Sequence, residues 1–209
     1  MSYGYNTVTK ETENIIVIER SKFICNIKPV NDESDARAFI EEIRKRHSLA
    51  NHCCYAYISD DKGLVQKFSD AGEPQGTAGL PMLEVLKNKR VFKVVAVVTR
   101  YFGGIKLGTG GLTRAYGGSV SECLNKAEIV DMQQAEVISI SLDYDGYSRL
   151  LKLLANPNFS ILETVFDNQI TVKVAVKKDF FENFNAMLLD AFNGKLSAHV
   201  LYSDYCAFR

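Results

Sequence analysis

A glycine-rich segment that carries three basic residues is the part of the chain best suited to bind a ligand. Seven of the fourteen glycines fall within residues 100–118, where a buried strand leads through a loop into a helix. Glycine lets the backbone bring N–H groups close to a ligand, and the first N–H groups of a helix attract anions. The segment predicts an anion or RNA site made of Arg100, Tyr101, Gly103, Gly104, Lys106, Gly108, Thr109, Gly110, Gly111 and Arg114.

Charge along the chain strengthens this prediction. The 209 residues contain 25 Lys+Arg and 25 Asp+Glu, and a net charge of zero argues against a polycation that coats nucleic acid. Residues 85–121, however, contain seven bases and no acid. We expect these bases to form one basic patch, with Tyr101, Phe102 and Tyr116 available to stack on bases. Overall neutrality therefore does not exclude a local phosphate-binding face.

Standard nucleotide motifs are missing from this segment. A Walker loop needs a Gly-Lys pair, and the chain has none. The dinucleotide pattern GxGxxG fits Gly108 and Gly110 but finds Thr113 at its last glycine. We therefore predict no nucleotide cofactor. A plainer interpretation, a turn that needs glycine for packing, accounts less well for so many glycines.

A second glycine cluster, residues 69–79, contains two acids. Asp70 and Glu73 are candidates for an acid/base pair, for divalent-ion ligands or for contacts with a basic partner. By itself the cluster is more typical of a polar surface turn in which Thr77 caps the next helix. Two polar glycine-rich loops in one domain suggest that both lie on a shared face.

The segment His52–Tyr57 places a histidine beside two cysteines. In a strand, His52 and Cys54 face one side and Cys53 faces the other. Zinc needs about four ligands at chelating spacings, which this segment does not supply, so no metal site is predicted. Residues two apart on a strand are roughly 7 Å apart, too far for a His–Cys hydrogen bond. Core packing is the favoured interpretation, with His52 a candidate proton shuttle.

Hydrophobic periodicity predicts an α+β protein of two domains, residues 1–133 and 134–209. The second has the order βαββαβ, typical of a ferredoxin-like fold. Within it, Asp167-Asn168 predicts a two-residue hairpin, and Asp179 with Glu182 predicts a capping box. The first domain alternates strands and helices, including strands over 91–102 and a helix over 110–127.

Several features predict a cytoplasmic protein that does not enter membranes. The five cysteines are odd in number and form no CxxC pair, which is typical of reduced thiols. The polar N-terminus does not read as a signal peptide. The longest aliphatic run, Val94–Val98, is far shorter than the ~20 residues of a membrane span.

Four segments together resemble the IMPACT/YigZ family: residues 21–24, 52–57, 69–81 and 99–118. The resemblance extends over nearly the whole chain, since the second domain looks like that of the bacterial members, itself similar to domain V of elongation factor G. It implies a first domain folded like the second domain of a small-subunit ribosomal protein, and a link to translation. Eukaryotic members bind the activator of the amino-acid-starvation kinase, a partner that is not carried over to this chain.

Three functions remain open at this point. The leading hypothesis is a non-catalytic, translation-associated regulator that binds RNA or the ribosome through the basic loop, with the second domain contacting either RNA or a protein partner in translation or stress response. The rival is a hydrolase or transferase acting on a small anionic substrate, with Asp70 or Glu73 as general base and His52 as shuttle. The third is a protein–protein interaction module.

Overall fold

The computed structural model describes residues 4–208 and confirms an α+β architecture. The chain forms two compact units, residues 5–130 and residues 131–208 with Gly4. Each unit has its own hydrophobic core.

The first unit is built on a sheet in which helix α1 connects two strands that are not neighbours. Strand β6 lies between β3 and β4 and is antiparallel to both, so β3 and β4 are parallel to each other. The sheet order is β2-β3-β6-β4-β5. The elements are β1 (Tyr5–Val8), β2 (Thr12–Ile18), β3 (Ser21–Pro29), α1 (Glu33–Arg46), β4 (His52–Ile58), β5 (Gln66–Ser69), α2 (Gly79–Asn88), β6 (Val94–Tyr101) and α3 (Gly108–Lys126).

Helices cover both faces of this sheet, which explains why β6 is apolar throughout its first five residues. Val95 and Val97 pack with Phe39 and Ile43 of α1 on one face. Alternate residues of β6 pack on the other face against α2 and α3: Val94, Ala96 and Val98. This alternation decides the position of Arg100, the next residue in the second set.

The second unit has the predicted ferredoxin-like order. Within residues 131–208, β10 pairs with β7, β7 with β9 and β9 with β8, and each of these three pairs is antiparallel. Helix residues Leu150 and Phe184 pack on one face, against alternate valines of β9. The elements are β7 (Ile129–Leu142), α4 (Tyr144–Leu154), β8 (Phe159–Phe166), β9 (Ile170–Lys177), a 3-10 turn (Lys178–Phe180), α5 (Phe181–Ala191) and β10 (His199–Phe208).

Two local predictions in this unit are wrong. Asp179 lies within the 3-10 turn, and α5 begins after it. In the described part of the chain no side chain caps the start of α5, so the predicted capping box of Asp179 with Glu182 does not form. The β8–β9 loop has three residues instead of two, because Phe166 pairs with Ile170 and the Asp167 N–H donates to the Gln169 carbonyl (3.2 Å).

Strand β1 was not predicted from the sequence. Its Asn6 is held by backbone bonds to residues after α2: the Asn6 N–H donates to the Arg90 carbonyl and the Phe92 N–H donates to the Asn6 carbonyl, both at 2.9 Å. Such pairing depends on a partner more than eighty residues away. Over residues 4–208, the helices are too short or too polar to cross a membrane.

Candidate phosphate-binding pocket and the buried ion pair beside it

Lys106 and Arg114 lie together at the start of α3. Both are exposed, and both line a cavity of about 440 Å³ whose other lining residues include Glu19 and Gly111. Among residues 4–208, no side chain caps the N-terminus of α3. The cavity therefore combines two positive side chains with the electropositive end of a nineteen-residue helix.

Two kinds of glycine build the loop before α3. Gly104 (φ +87°) and Gly108 (φ +67°) adopt left-handed backbone conformations that other residues rarely take. Gly103 has a different role, since a Cβ there would lie 2.0 Å from the Arg20 backbone carbon. Thr109 and Gly110 are exposed in the first turn of α3. The glycines thus shape the loop and leave the helix start open.

Arg100 is not the third cation of this pocket, so that prediction is wrong. Its guanidinium is buried and forms an ion pair with Glu73, Nη1 to Oε1 at 2.7 Å. The same Glu73 oxygen accepts a hydrogen bond from the Tyr116 hydroxyl at 2.8 Å. The guanidinium lies 5.4 Å from the ring centroids of both Phe23 and Phe102. Its charge is neutralised inside the protein.

Strand geometry explains this burial and supplies a signal that the sequence interpretation missed. Arg100 is in phase with Ala96 and Val98 of β6, so its side chain enters the layer covered by α2 and α3. A base in phase with a buried apolar set needs a buried acid as its partner. Glu73, from the loop before α2, is that acid.

The three aromatic residues expected to stack on bases do not form a common surface. Tyr116 is fully buried. Tyr101 is on the α1 face of β6, where its hydroxyl is 3.0 Å from His47 Nδ1. Phe102 is exposed, but it lies over Arg100. The predicted stacking surface made of these three rings is therefore not formed.

The seven-base run is also divided rather than continuous. Lys93 precedes β6 and Arg100 lies near its end, so seven steps of about 3.3 Å separate them by about 23 Å. Among the bases that precede Lys93, Lys87 pairs with Glu84 (3.0 Å) and the Lys89 ammonium donates to Asn125 Oδ1 (3.1 Å). Only Lys106 and Arg114 of the run line the cavity described above. One basic patch is therefore not formed.

The Asp70 side chain holds the backbone of the loop that leads into α2. Its carboxylate accepts backbone N–H bonds from Gly76, Ala78 and Gly79 at 2.8, 3.0 and 2.9 Å. It therefore organises the start of α2, the task predicted for Thr77. The Thr77 hydroxyl instead donates to the Pro74 carbonyl at 2.6 Å, so the predicted Thr77 cap is wrong.

His52 is the partly exposed member of the buried cluster. It pairs directly with Arg100 across β4 and β6, and its Nε2 is 3.9 Å from Glu73 Oε2. Its Nδ1 is 3.0 Å from the Ala71 carbonyl, so Nδ1 carries a proton. The structure thus places His52 beside Glu73, and neither residue lines the cavity that contains Lys106.

Cys54 lies under this cluster as a buried thiol. Its Sγ donates to the Asp70 carbonyl at 2.9 Å, and burial raises its pKa to about 12. A thiol that stays protonated is a poor nucleophile. In the described part of the chain, His, Cys, Asp and Glu side chains form no cluster of three or more that could hold a metal ion.

Comparison with known proteins identifies the family. The model of the Impact N-terminal domain matches residues 19–124, a range that includes Lys106, Arg114 and the buried cluster. The chain belongs to the IMPACT family. Residues 140–195 match a second family model, Domain of unknown function (DUF1949). Both matches agree with the resemblance carried by the motifs.

Relatives in this family are similar over nearly their full length. "IMPACT family member YvyE" of Bacillus subtilis is 42% identical over 195 residues, which cover 93% of this chain and 90% of the relative. "IMPACT family member YigZ" of Escherichia coli is 34% identical over 181 residues, 86% of this chain and 89% of the relative. A crystal structure described as a hypothetical protein is 31% identical, with a TM-score of 0.61 over 97% of this chain and 98% of that one.

Proposed function

We propose that this IMPACT-family protein is a translation-associated regulator that binds RNA or the ribosome through the cavity at the start of α3. The observation that carries the proposal is that two exposed bases, Lys106 and Arg114, line one cavity at the start of α3. Among the described residues, no side chain caps this helix N-terminus. The link to translation rests on the family, and the phosphate contact rests on this chemistry.

The contact proposed is with phosphate groups rather than with base edges. Lys and Arg bind phosphate through charge and N–H donors, and a helix N-terminus adds further N–H groups. Glu19 on the cavity wall leaves an excess of one positive charge. A polyanion with exposed phosphates suits such a site better than a neutral ligand.

Binding is proposed in preference to the rival enzymatic function. That rival needs Asp70 or Glu73 beside the bound anion. The Asp70 carboxylate is occupied by three N–H groups, and Glu73 is held by Arg100 and Tyr116. Neither residue lines the cavity that contains Lys106. A general base placed elsewhere cannot act on a ligand bound there.

The test measures RNA and ribosome binding of the full chain over a range of salt concentrations. The double variant Lys106→Ala/Arg114→Ala should weaken binding. Because each phosphate contact to single-stranded RNA contributes a slope of about 0.7 in log affinity against log salt, losing two should flatten the slope by about 1.4.

A matched control uses two other bases of the same run. Lys87→Ala/Lys89→Ala removes the same number of positive charges from the opposite end of β6, beside Glu84 and Asn125. It should leave affinity and slope nearly unchanged. Absence of binding at low salt would exclude the function, and equal loss in both double variants would exclude the site.

A further inference from the structure

A second cavity lies on the other face of the same sheet, between α1 and the edge strand β5. Helix α1 packs on β4 and β6, and in the described residues its hydrophobic cluster includes no residue of β5. Strand β5 has only four residues and is mostly exposed. The sheet therefore extends beyond the helix and leaves a trough of about 310 Å³, a volume at the lower end of the range for small-molecule sites.

The accessible floor of this trough is the partly exposed Tyr55, with the buried Tyr57 beside it (1% exposed). Tyr55 and Tyr57 are two residues apart on β4, and their rings are nearly parallel, at 9° with centroids 6.3 Å apart. The Tyr57 hydroxyl donates to Glu33 Oε1 at 2.6 Å, so its polar end is satisfied. Burial raises the pKa of Tyr57 to about 12, which keeps the ring neutral. An aromatic floor of this kind suits a planar ring.

Basic side chains form the walls. Arg37 and Arg44 come from α1, and Lys67 comes from β5, where it pairs with Tyr57 across the strands. The Arg44 guanidinium lies 5.7 Å from the centre of the Tyr55 ring and adds a second stacking surface. Planar contact and positive charge are thus provided within one small cavity.

The acids nearby do not cancel this charge. Arg37 pairs with Glu33 at 2.6 Å and Arg44 with Glu41 at 2.5 Å. In all four side chains at least two-fifths of the surface is exposed, so the pairs are weak and an anion can compete for the guanidinium groups. Lys67 is exposed as well, and three bases face two acids.

We propose that this α1–β5 trough binds a nucleotide, with its base on Tyr55 and its phosphate on Arg37 and Lys67. A nucleotide is the chemical class that combines a planar aromatic ring with an anion at this scale. The same unit is present in a free mononucleotide and in single-stranded RNA. The proposal does not rest on the function assigned to the α3 cavity, because the two sites share no residue.

Calorimetric titration of the full chain tests the proposal with AMP, adenosine and ribose 5-phosphate. AMP should bind, and each of the two half-ligands should bind at least tenfold more weakly, because each lacks one of the two contacts. A single-stranded RNA hexamer separates the sources. Measured in Lys106→Ala/Arg114→Ala, which lacks the bases of the α3 cavity, hexamer binding at least tenfold tighter than AMP binding identifies RNA as the ligand of the trough, and any weaker hexamer binding identifies the free nucleotide.

Three variants locate the site. Tyr55→Ala and Lys67→Glu should each weaken AMP binding about tenfold or more, whereas Tyr55→Phe should retain it because the ring persists. Lys67 is an exposed residue of the edge strand, so Lys67→Glu keeps the test valid if Tyr55→Ala fails to fold. Lack of AMP binding overturns the proposal. So does AMP binding that survives Lys67→Glu and is lost in Lys106→Ala/Arg114→Ala, a result that would leave the α3 cavity as the ligand site.

Discussion

The bases of residues 100–118 occupy two opposite environments within one short segment. Arg100 is buried and neutralised by Glu73, whereas Lys106 and Arg114 are exposed around an open cavity. The difference comes from the element that carries each residue. The side chain of a strand residue is directed by the alternation of the strand, whereas Lys106 in the loop and Arg114 on the open side of α3 face water. A count of charges along the sequence does not distinguish a buried, paired base from an exposed one.

The buried pair of Arg100 and Glu73 contributes to stability, whereas the exposed Lys106 and Arg114 are available for binding. Removing a partner from a buried pair leaves an uncompensated charge in the interior, while removing an exposed charge alters only what the surface attracts. Variants of the two groups should therefore affect different measurements.

The largest effect on stability is expected for Glu73→Ala. It leaves the Arg100 guanidinium buried without its acid, and loss of one partner of a buried pair costs about 3–5 kcal/mol. Chemical denaturation measures the change. The exposed pair of Glu84 and Lys87 gives the control, because Glu84→Ala should cost less than about 1 kcal/mol. Equal losses in the two variants would show that the buried pair contributes no more than a surface pair.

Gly103→Ala should have the next largest effect. Its new methyl group would meet the Arg20 backbone at 2.0 Å, and overpacking of this kind costs about 1–3 kcal/mol. Gly118→Ala is the matched control in α3, where open space surrounds the position in the described structure. There the gain in helix propensity should stabilise by up to about 1 kcal/mol. Thermal melting of both variants checks the opposite signs.

Asp70→Ala should cost about 0.5–2 kcal/mol, the range for loss of a helix-capping side chain. Asp143 at the start of α4 accepts one N–H, from Gly146 at 2.8 Å, whereas Asp70 accepts three. We therefore expect Asp143→Ala to cost less than Asp70→Ala in urea denaturation. The reverse order would contradict the structural role given to Asp70.

Lys106→Ala/Arg114→Ala should have the smallest effect on stability, within about 0.5 kcal/mol, because both side chains are exposed. Its effect on RNA binding should be large if the proposed function holds. Unfolding and binding measured on one preparation test both statements. A strongly destabilised double variant would mean that these side chains belong to the packed structure.

Much of the fold follows from local pattern. Alternation along β9 and the apolar stripe of α4 predict the ferredoxin-like unit, because periods of 2 and 3.6 residues are set by backbone geometry. Predictions of local structure were wrong where two local signals compete. Asp179 and Glu182 have the right types and spacing for a capping box, yet the backbone forms a 3-10 turn there.

The candidate site was predictable in part. Glycine spacing and the bases at Lys106 and Arg114 indicate a loop before a helix, and the structure brings those two side chains to one cavity. The pairing of Glu73 with Arg100 joins residues 27 positions apart, and no local pattern reports it. The α1–β5 trough depends on how far a helix extends over a sheet, which a sequence does not express.

The family, the α+β class and the residue types available for binding phosphate all follow from the order of amino acids. These depend on composition, periodicity and motif spacing, which act over short distances along the chain. Which charges remain available for binding depends on the folded protein. Burial and ion pairing are properties of three-dimensional neighbours, and they removed Arg100 from the surface while leaving Lys106 and Arg114 there.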